Sequence, residues 1–222
     1  IHLKKGKMKA VLTFMLLLLL VVAGCSSNET GTSEKTGGSS SGGGDGVKVG
    51  VAYVLSGPFA SNGINSQRGA LLAIEDFNNQ GGVQSLGGAK IEAVTTDAGA
   101  DPSASASAAR KLIDQDKVSL LLGTYLSSQT LTAATEAERA KVPIVTQSFS
   151  DELVNRGYKY TFKTTPLGTE FGQTAITYMD EIVKDLGMDI KKVAIVSSSD
   201  ASSTTQMEGA IKTAKEVGFE LV

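Results

Sequence analysis

From residue 47 onward, short apolar runs of strand length alternate with longer stretches that carry apolar residues at helix spacing. Val47–Val54 (VKVGVAYV) is rich in β-branched residues and predicts a strand. Turn chemistry in Leu55-Ser56-Gly57-Pro58 ends it, and Phe59–Gly63 reads as a loop. Leu71, Leu72, Ile74 and Phe77 then predict a helix over Asn65–Asn79, stopped by Gly81-Gly82. Ala89–Thr96 alternates as a second strand. Asp101-Pro102 starts a helix, with Pro at the first helical position, that runs to Asp114. Val118–Leu122 predicts a third strand, buried on both faces and broken by Gly123. The helix containing Leu131–Arg139 follows, with Ser127 or Ser128 placed to cap it. Val142–Thr146 predicts a short fourth strand, and Tyr158–Thr164 is a further extended piece. After Pro166 the pattern restarts with an amphipathic helix over Gln173–Leu186, a buried strand over Val193–Val196, a helix over Met207–Glu216 and a strand over Phe219–Val222.

Strands that alternate with helices in this order imply an α/β fold, a doubly wound parallel sheet with right-handed crossovers. Ligands of such sheets bind outside the carboxyl ends of the strands. The loops gathered there are Leu55–Ile64, Asp97–Asp101, Gly123–Ser128 and Gln147–Asp151, three of them dense in Ser, Thr and Asn. Neutral hydrogen-bonding groups of this kind suit a small polar ligand. The helix start at Ser127 or Ser128 adds unpaired N–H groups and the positive end of a helix dipole, which favour an anion such as a carboxylate.

The N-terminus has a different character. Lys4, Lys5, Lys7 and Lys9 precede an apolar, leucine-rich run from Val11 to Ala23, and Val22-Ala23-Gly24-Cys25 follows. Basic, apolar and small-residue parts in that order predict a secretory signal over residues 1–24, too short for an ordinary membrane span. The Cys at the cleavage point resembles the lipobox of bacterial lipoproteins, which implies lipid attachment at Cys25 and a membrane anchor. Residues 25–46, rich in Ser and Gly, predict a flexible tether.

Composition narrows the chemistry further. The chain has 222 residues, a net charge of −2, one Cys, one His and no Trp. With acids and bases interspersed and no basic stripe, nucleic acid is not an expected partner. The one histidine, His2, lies in the segment expected to be removed, and Cys25 is expected to be lipidated. A Ser/His/Asp triad, a Cys/His pair and a His metal site are therefore excluded, and no cofactor or metal is expected. A nucleotide enzyme of this fold carries G-x-G-x-x-G after its first strand, and Leu55-Ser56-Gly57-Pro58 is not that motif. The nearest carboxylate pair for acid–base work is Asp97 with Asp101, and Asp101 already has a capping role.

Taken together, Ser56-Gly57-Pro58 with Gly63, Ala70–Asn79 followed by Gly81-Gly82, Asp97 with Asp101-Pro102, Ser127-Ser128 and Thr164-Thr165-Pro166 resemble the type I periplasmic binding proteins. The nearest family is that of the branched-chain amino acid binding components of ABC importers. The resemblance implies a first ligand-binding lobe over 47–165 and an incomplete second lobe over 166–222, a truncated form of a longer protein. It implies an extracytoplasmic, lipid-anchored binding component that holds an amino acid or similar small polar solute between two lobes and delivers it to an ABC transporter permease. A ligand-sensing module of the same fold is the alternative. By position, Ser127 with Ser128 would hold a ligand carboxylate, and Ser148 and Ser150 would contact its ammonium and carboxylate. Asn62 and Ser202 fall where the family places aromatic rings. Neither position is aromatic here, which leaves room for a ligand more polar than leucine.

Overall fold

The computed structural model describes residues 46–222. The signal-like segment 1–24, Cys25 and the tether up to residue 45 lie outside them.

Five strands form one fully parallel sheet. They are β1 (Val47–Tyr53), β2 (Ile91–Asp97), β3 (Leu120–Gly123), β4 (Ile144–Thr146) and β5 (Thr161–Lys163), in the spatial order β2-β1-β3-β4-β5. Helix α1 (Ala60–Asn79) packs on one face, where Leu71 and Ile74 meet Val49, Val51, Leu120 and Leu122. Helices α2 (Pro102–Asp114) and α3 (Ser127–Ala140) cover the other, where Leu112, Leu131 and Ala134 meet Ala52, Leu121 and Ile144. Alternate residues of a strand point to opposite faces. This period of two is why Leu120 and Leu122 of β3 join one cluster and Leu121 the other.

Local chemistry accounts for several boundaries. The Asp101 carboxylate accepts the backbone N–H groups of Ser103 and Ala104 at 2.9 Å each, with Pro102 at the first helical position. Both features match the expected start of α2. Helix α1, in contrast, begins at Ala60, so the expected loop Phe59–Gly63 is its first turn. Gly63 permits this, because a Cβ there would lie 1.7 Å from the Val54 carbonyl oxygen.

The expected cap of α3 is also corrected. Leu126, in extended conformation, precedes the helix, and Ser127 is its first residue. The Leu126 carbonyl already accepts the first intrahelical bond, from Thr130 N at 2.9 Å. The Ser127 hydroxyl is engaged elsewhere, as described below. A short helix, α4 (Glu152–Asn155), follows β4.

Beyond β5 come α5 (Gly168–Asp185), β6 (Lys192–Val193), α6 (Ala201–Val217) and β7 (Glu220–Leu221). Strands β6 and β7 form a separate parallel pair, and Ile176, Ala210, Ala214 and Phe219 make a second apolar cluster. The expected buried strand over Val193–Val196 is shorter than its sequence implies. Pairing stops at Val193, because its partner among the described residues spans only two residues, and Val196 is 98% exposed. Helices α5 and α6 approach closely. A Cβ on Gly172 would sit 1.9 Å from the Gln206 carbonyl oxygen, and one on Gly209 would sit 2.0 Å from that of Thr169. Among the described residues no helix is long and apolar enough to cross a membrane.

Candidate functional site

In the order β2-β1-β3-β4-β5 the chain reverses its winding between β1 and β3, and such a switch point opens a crevice at the carboxyl ends of the strands. A cleft of about 760 Å³ lies there. Phe59 enters it from the turn after β1, Tyr125 to Ser128 from the turn after β3, Gln147 and Phe149 from the loop after β4, and Thr165 from the segment after β5. The facing wall is Ser198, Asp200, Ser202 and Ser203, at the start of α6.

The turn between β3 and α3 is the most constrained part. Gly123 has φ +139°, and a Cβ there would lie 2.0 Å from the Ala52 carbonyl oxygen. Below the turn runs a buried chain of hydroxyls. Thr124 Oγ1 and Thr130 Oγ1 are 2.7 Å apart, Thr130 Oγ1 bonds Ser148 Oγ, and Thr146 Oγ1 donates to Ser148 Oγ at 3.0 Å. A satisfied buried polar network holds its members in one arrangement. Here it fixes the turn so that the first N–H groups of α3, which have no intrahelical acceptor, stand at the cleft. Ser127 Oγ accepts the Ser150 backbone N–H at 3.2 Å. Its own proton therefore remains available to donate.

The structure thus sorts the six expected contact residues. Ser127, Ser128 and Ser202 line the cleft. Ser148 and Ser150 are buried and do not: the first belongs to the hydroxyl chain, and the second offers its backbone to Ser127. Asn62 stands behind the lining, its Nδ2 donating to the Tyr125 hydroxyl at 2.9 Å.

Sequence reasoning missed the aromatic residues. Positions 62 and 202 are polar, yet Phe59, Tyr125 and Phe149 bring three rings to the cleft from the turns after β1, β3 and β4. The cleft therefore joins apolar rings to polar groups, although positions 62 and 202 are themselves polar. Phe149 is further held against the Phe171 ring, centroid to centroid 5.5 Å.

Asp200 was missed as well, although Asp-x-Ser-Ser is a readable helix-start pattern. Its carboxylate caps α6, accepting from Ser202 N at 2.9 Å, Ser203 N at 3.1 Å and Ser203 Oγ at 2.7 Å, and also from the Ser198 hydroxyl. Burial alone would raise its pKa, but these bonds outweigh burial and bring it down to about 2. The wall facing α3 therefore carries a fixed negative charge.

The two carboxylates considered for acid–base chemistry are occupied structurally. Asp97 accepts Leu55 N at 2.9 Å and Gly99 N at 2.8 Å, and Asp101 caps α2. Burial slightly opposes ionisation of Asp97, yet its backbone hydrogen bonds hold its pKa below the usual value.

The chain is similar to known binding proteins along all of the described part. The family model described as "Periplasmic binding protein" matches residues 46–222. The Leu/Ile/Val-binding protein homolog 7 of Brucella suis is 32% identical over 180 residues, covering 79% of this chain and 44% of its own. The leucine-, isoleucine-, valine-, threonine-, and alanine-binding protein of Pseudomonas aeruginosa is 35% identical over 142 residues, 64% of this chain and 37% of its own. Among solved structures, the branched-chain amino acid transporter substrate binding protein LivJ of Streptococcus pneumoniae, in complex with isoleucine, superposes with a TM-score of 0.67 at 28% identity. It covers 80% of this chain and 48% of that one. A solute binding protein of an ABC transporter from R. palustris, in complex with 4-hydroxybenzoate, gives 0.67 at 27% identity, covering 80% and 46%. The chain spans under half the length of each of these relatives. A parallel doubly wound sheet, a cleft at its switch point and the match of the family model over all of the described residues together place the chain in the periplasmic binding protein family.

Proposed function

We propose that this chain is the ligand-binding part of an extracytoplasmic solute-binding protein that serves an ABC importer, and that its ligand is an amino acid. Residues 47–165 act as the first lobe and 166–222 belong to the second. The observation that carries this reading is the polarity of the cleft. One wall presents the first turn of α3 with the donor hydroxyl of Ser127, and the facing wall presents the Asp200 carboxylate. A zwitterion satisfies both, its carboxylate on the helix start and its ammonium toward the acid. The rings of Phe59, Tyr125 and Phe149 receive an apolar side chain between these poles. The names of the relatives, which include leucine, isoleucine and valine binding, support the same class.

Thermal melting with each standard L-amino acid at high concentration tests this. A ligand at a hundred times its dissociation constant stabilises by about 2.7 kcal/mol. For a domain of this size that raises Tm by roughly 5–10 °C. If no amino acid raises Tm while 4-hydroxybenzoate does, the cleft takes aryl carboxylates instead.

On location, the reading includes removal of residues 1–24, a lipid on Cys25 and a tether to residue 46, which leave the domain free to meet a permease at the membrane. Fractionation of cells that express Cys25→Ala checks it. The variant is expected in the soluble fraction, and retention with the membrane after signal cleavage would refute the anchor.

A further inference from the structure

The loop after β4 makes more connections than a strand-to-helix turn requires. Lys163 Nζ, on β5, donates to the carbonyls of Phe149 at 3.0 Å and Ser150 at 3.4 Å. Ser150 N donates to Ser127 Oγ at the start of α3. The next residue, Asp151, turns its buried carboxylate away from the sheet toward α5. There Oδ1 accepts Gly168 N at 2.5 Å, and Oδ2 accepts Thr169 N at 3.3 Å and Thr169 Oγ1 at 2.6 Å. We propose that Asp151 is a positioning residue that fixes the far wall of the cleft, by clamping the N-terminus of α5 to the segment that also braces Ser127.

Three donors on one carboxylate at a helix N-terminus define where the helix begins and along which line it leaves, and the helix dipole strengthens the hold. The neighbouring tilted contact of Phe149 with Phe171 adds area, but it fixes direction far less. From α5 the position passes to α6 without slack. Gly172 and Gly209 bring the two helices so close that a methyl group does not fit at either contact, and close-packed elements move as one. Helix α6 begins with Asp200, Ser202 and Ser203, the residues facing Ser127 and Ser128 across the cleft. One carboxylate thus sets the width of the cleft from a place outside its lining. The wall's part in ligand recognition rests on the function proposed above, whereas the clamp is measurable without any ligand.

Spin labels at Asp76→Cys on α1 and Glu208→Cys on α6, both exposed, in a Cys25→Ser background, report that width as a distance distribution by electron–electron double resonance. The ligand-free protein is expected to give one narrow peak. Asp151→Ala is expected to shift and broaden it, and Asp151→Asn to fall between, because its amide oxygen still accepts from Gly168 N while the charge is lost. Thr169→Val, which removes a single donor, gives a smaller change in the same direction and keeps the test open if Asp151→Ala does not fold. A lowered Tm with a distance distribution that superposes on the parent's, in whichever of these variants fold, would make Asp151 an ordinary helix cap and overturn the proposal. Failure of any amino acid to bind would leave the distances unaffected.

Discussion

Replacing Ser127 by Ala separates two roles that a helix-start serine can play. Were Ser127 the cap of α3, its removal would cost about 1 kcal/mol through an unpaired N–H of the helix. The structure gives a different mechanism, because the residue is already helical and its hydroxyl accepts Ser150 N at 3.2 Å. Ser127 is 5% exposed and Ser150 is 1% exposed, so the alanine variant strands a backbone donor away from bulk water. An unsatisfied buried group of this kind costs about 1–3 kcal/mol, which for a domain of this size lowers Tm by roughly 2–12 °C. Ser128 is the control. It lines the cleft, its hydroxyl has no hydrogen-bond partner among the described residues, and Ser128→Ala is expected to change stability by less than about 0.5 kcal/mol. Thermal and urea unfolding of both variants provide the assay. A neutral Ser127→Ala beside a destabilised Ser128→Ala would refute the reasoning and put the cap at Ser128.

Two further predictions concern the same cleft. Gly123→Ala places a methyl group 2.0 Å from the Ala52 carbonyl oxygen at a backbone angle that suits glycine, so it is expected to destabilise by more than about 2 kcal/mol, read by urea unfolding. The pKa of Asp200 lies at about 2 in the fold, depressed from 3.8, so its contribution to stability is complete above pH 3.8 and is lost as pH falls toward about 2. Asp200→Asn is expected to flatten that part of the stability–pH profile, and an unchanged profile would show that the capping bonds do not favour the ionised form.

The sheet was legible because its signals are local. Val47–Tyr53 is β-branched, Asp101-Pro102 can hardly be anything but a helix start, and Leu120–Leu122 serves two apolar faces. The start of α1 was not legible, because Ser61-Asn62-Gly63 carries loop composition for a tertiary reason: Gly63 is required where the helix touches Val54. The cap of α3 was off by one residue because Leu126, not a serine, closes the turn, while Ser127 spends its acceptor on Ser150 in another loop. Ser148 showed the right loop but not the direction of its side chain, which a network with Thr124, Thr130 and Thr146 turns inward. Phe149 and Asp200 were missed because a cleft is assembled from positions far apart in the chain. Positional likeness pointed to residues 62 and 202, whereas the rings come from Phe59, Tyr125 and Phe149 on three different turns and the charge from Asp200.

The central claim is that a ligand carboxylate sits on the first turn of α3 beside Ser127. Isothermal titration of the purified protein with its best L-amino acid, and with the carboxamide of that amino acid, tests it most directly. The two ligands differ only at the group that the helix start and the Ser127 hydroxyl are placed to receive. Charge-assisted hydrogen bonds to such a group are worth about 1.5–3 kcal/mol each. The account therefore predicts one-to-one binding of the acid and an affinity roughly ten- to a hundredfold lower, or more, for the amide. Equal affinity for the two would contradict it and move the carboxylate of the ligand away from α3.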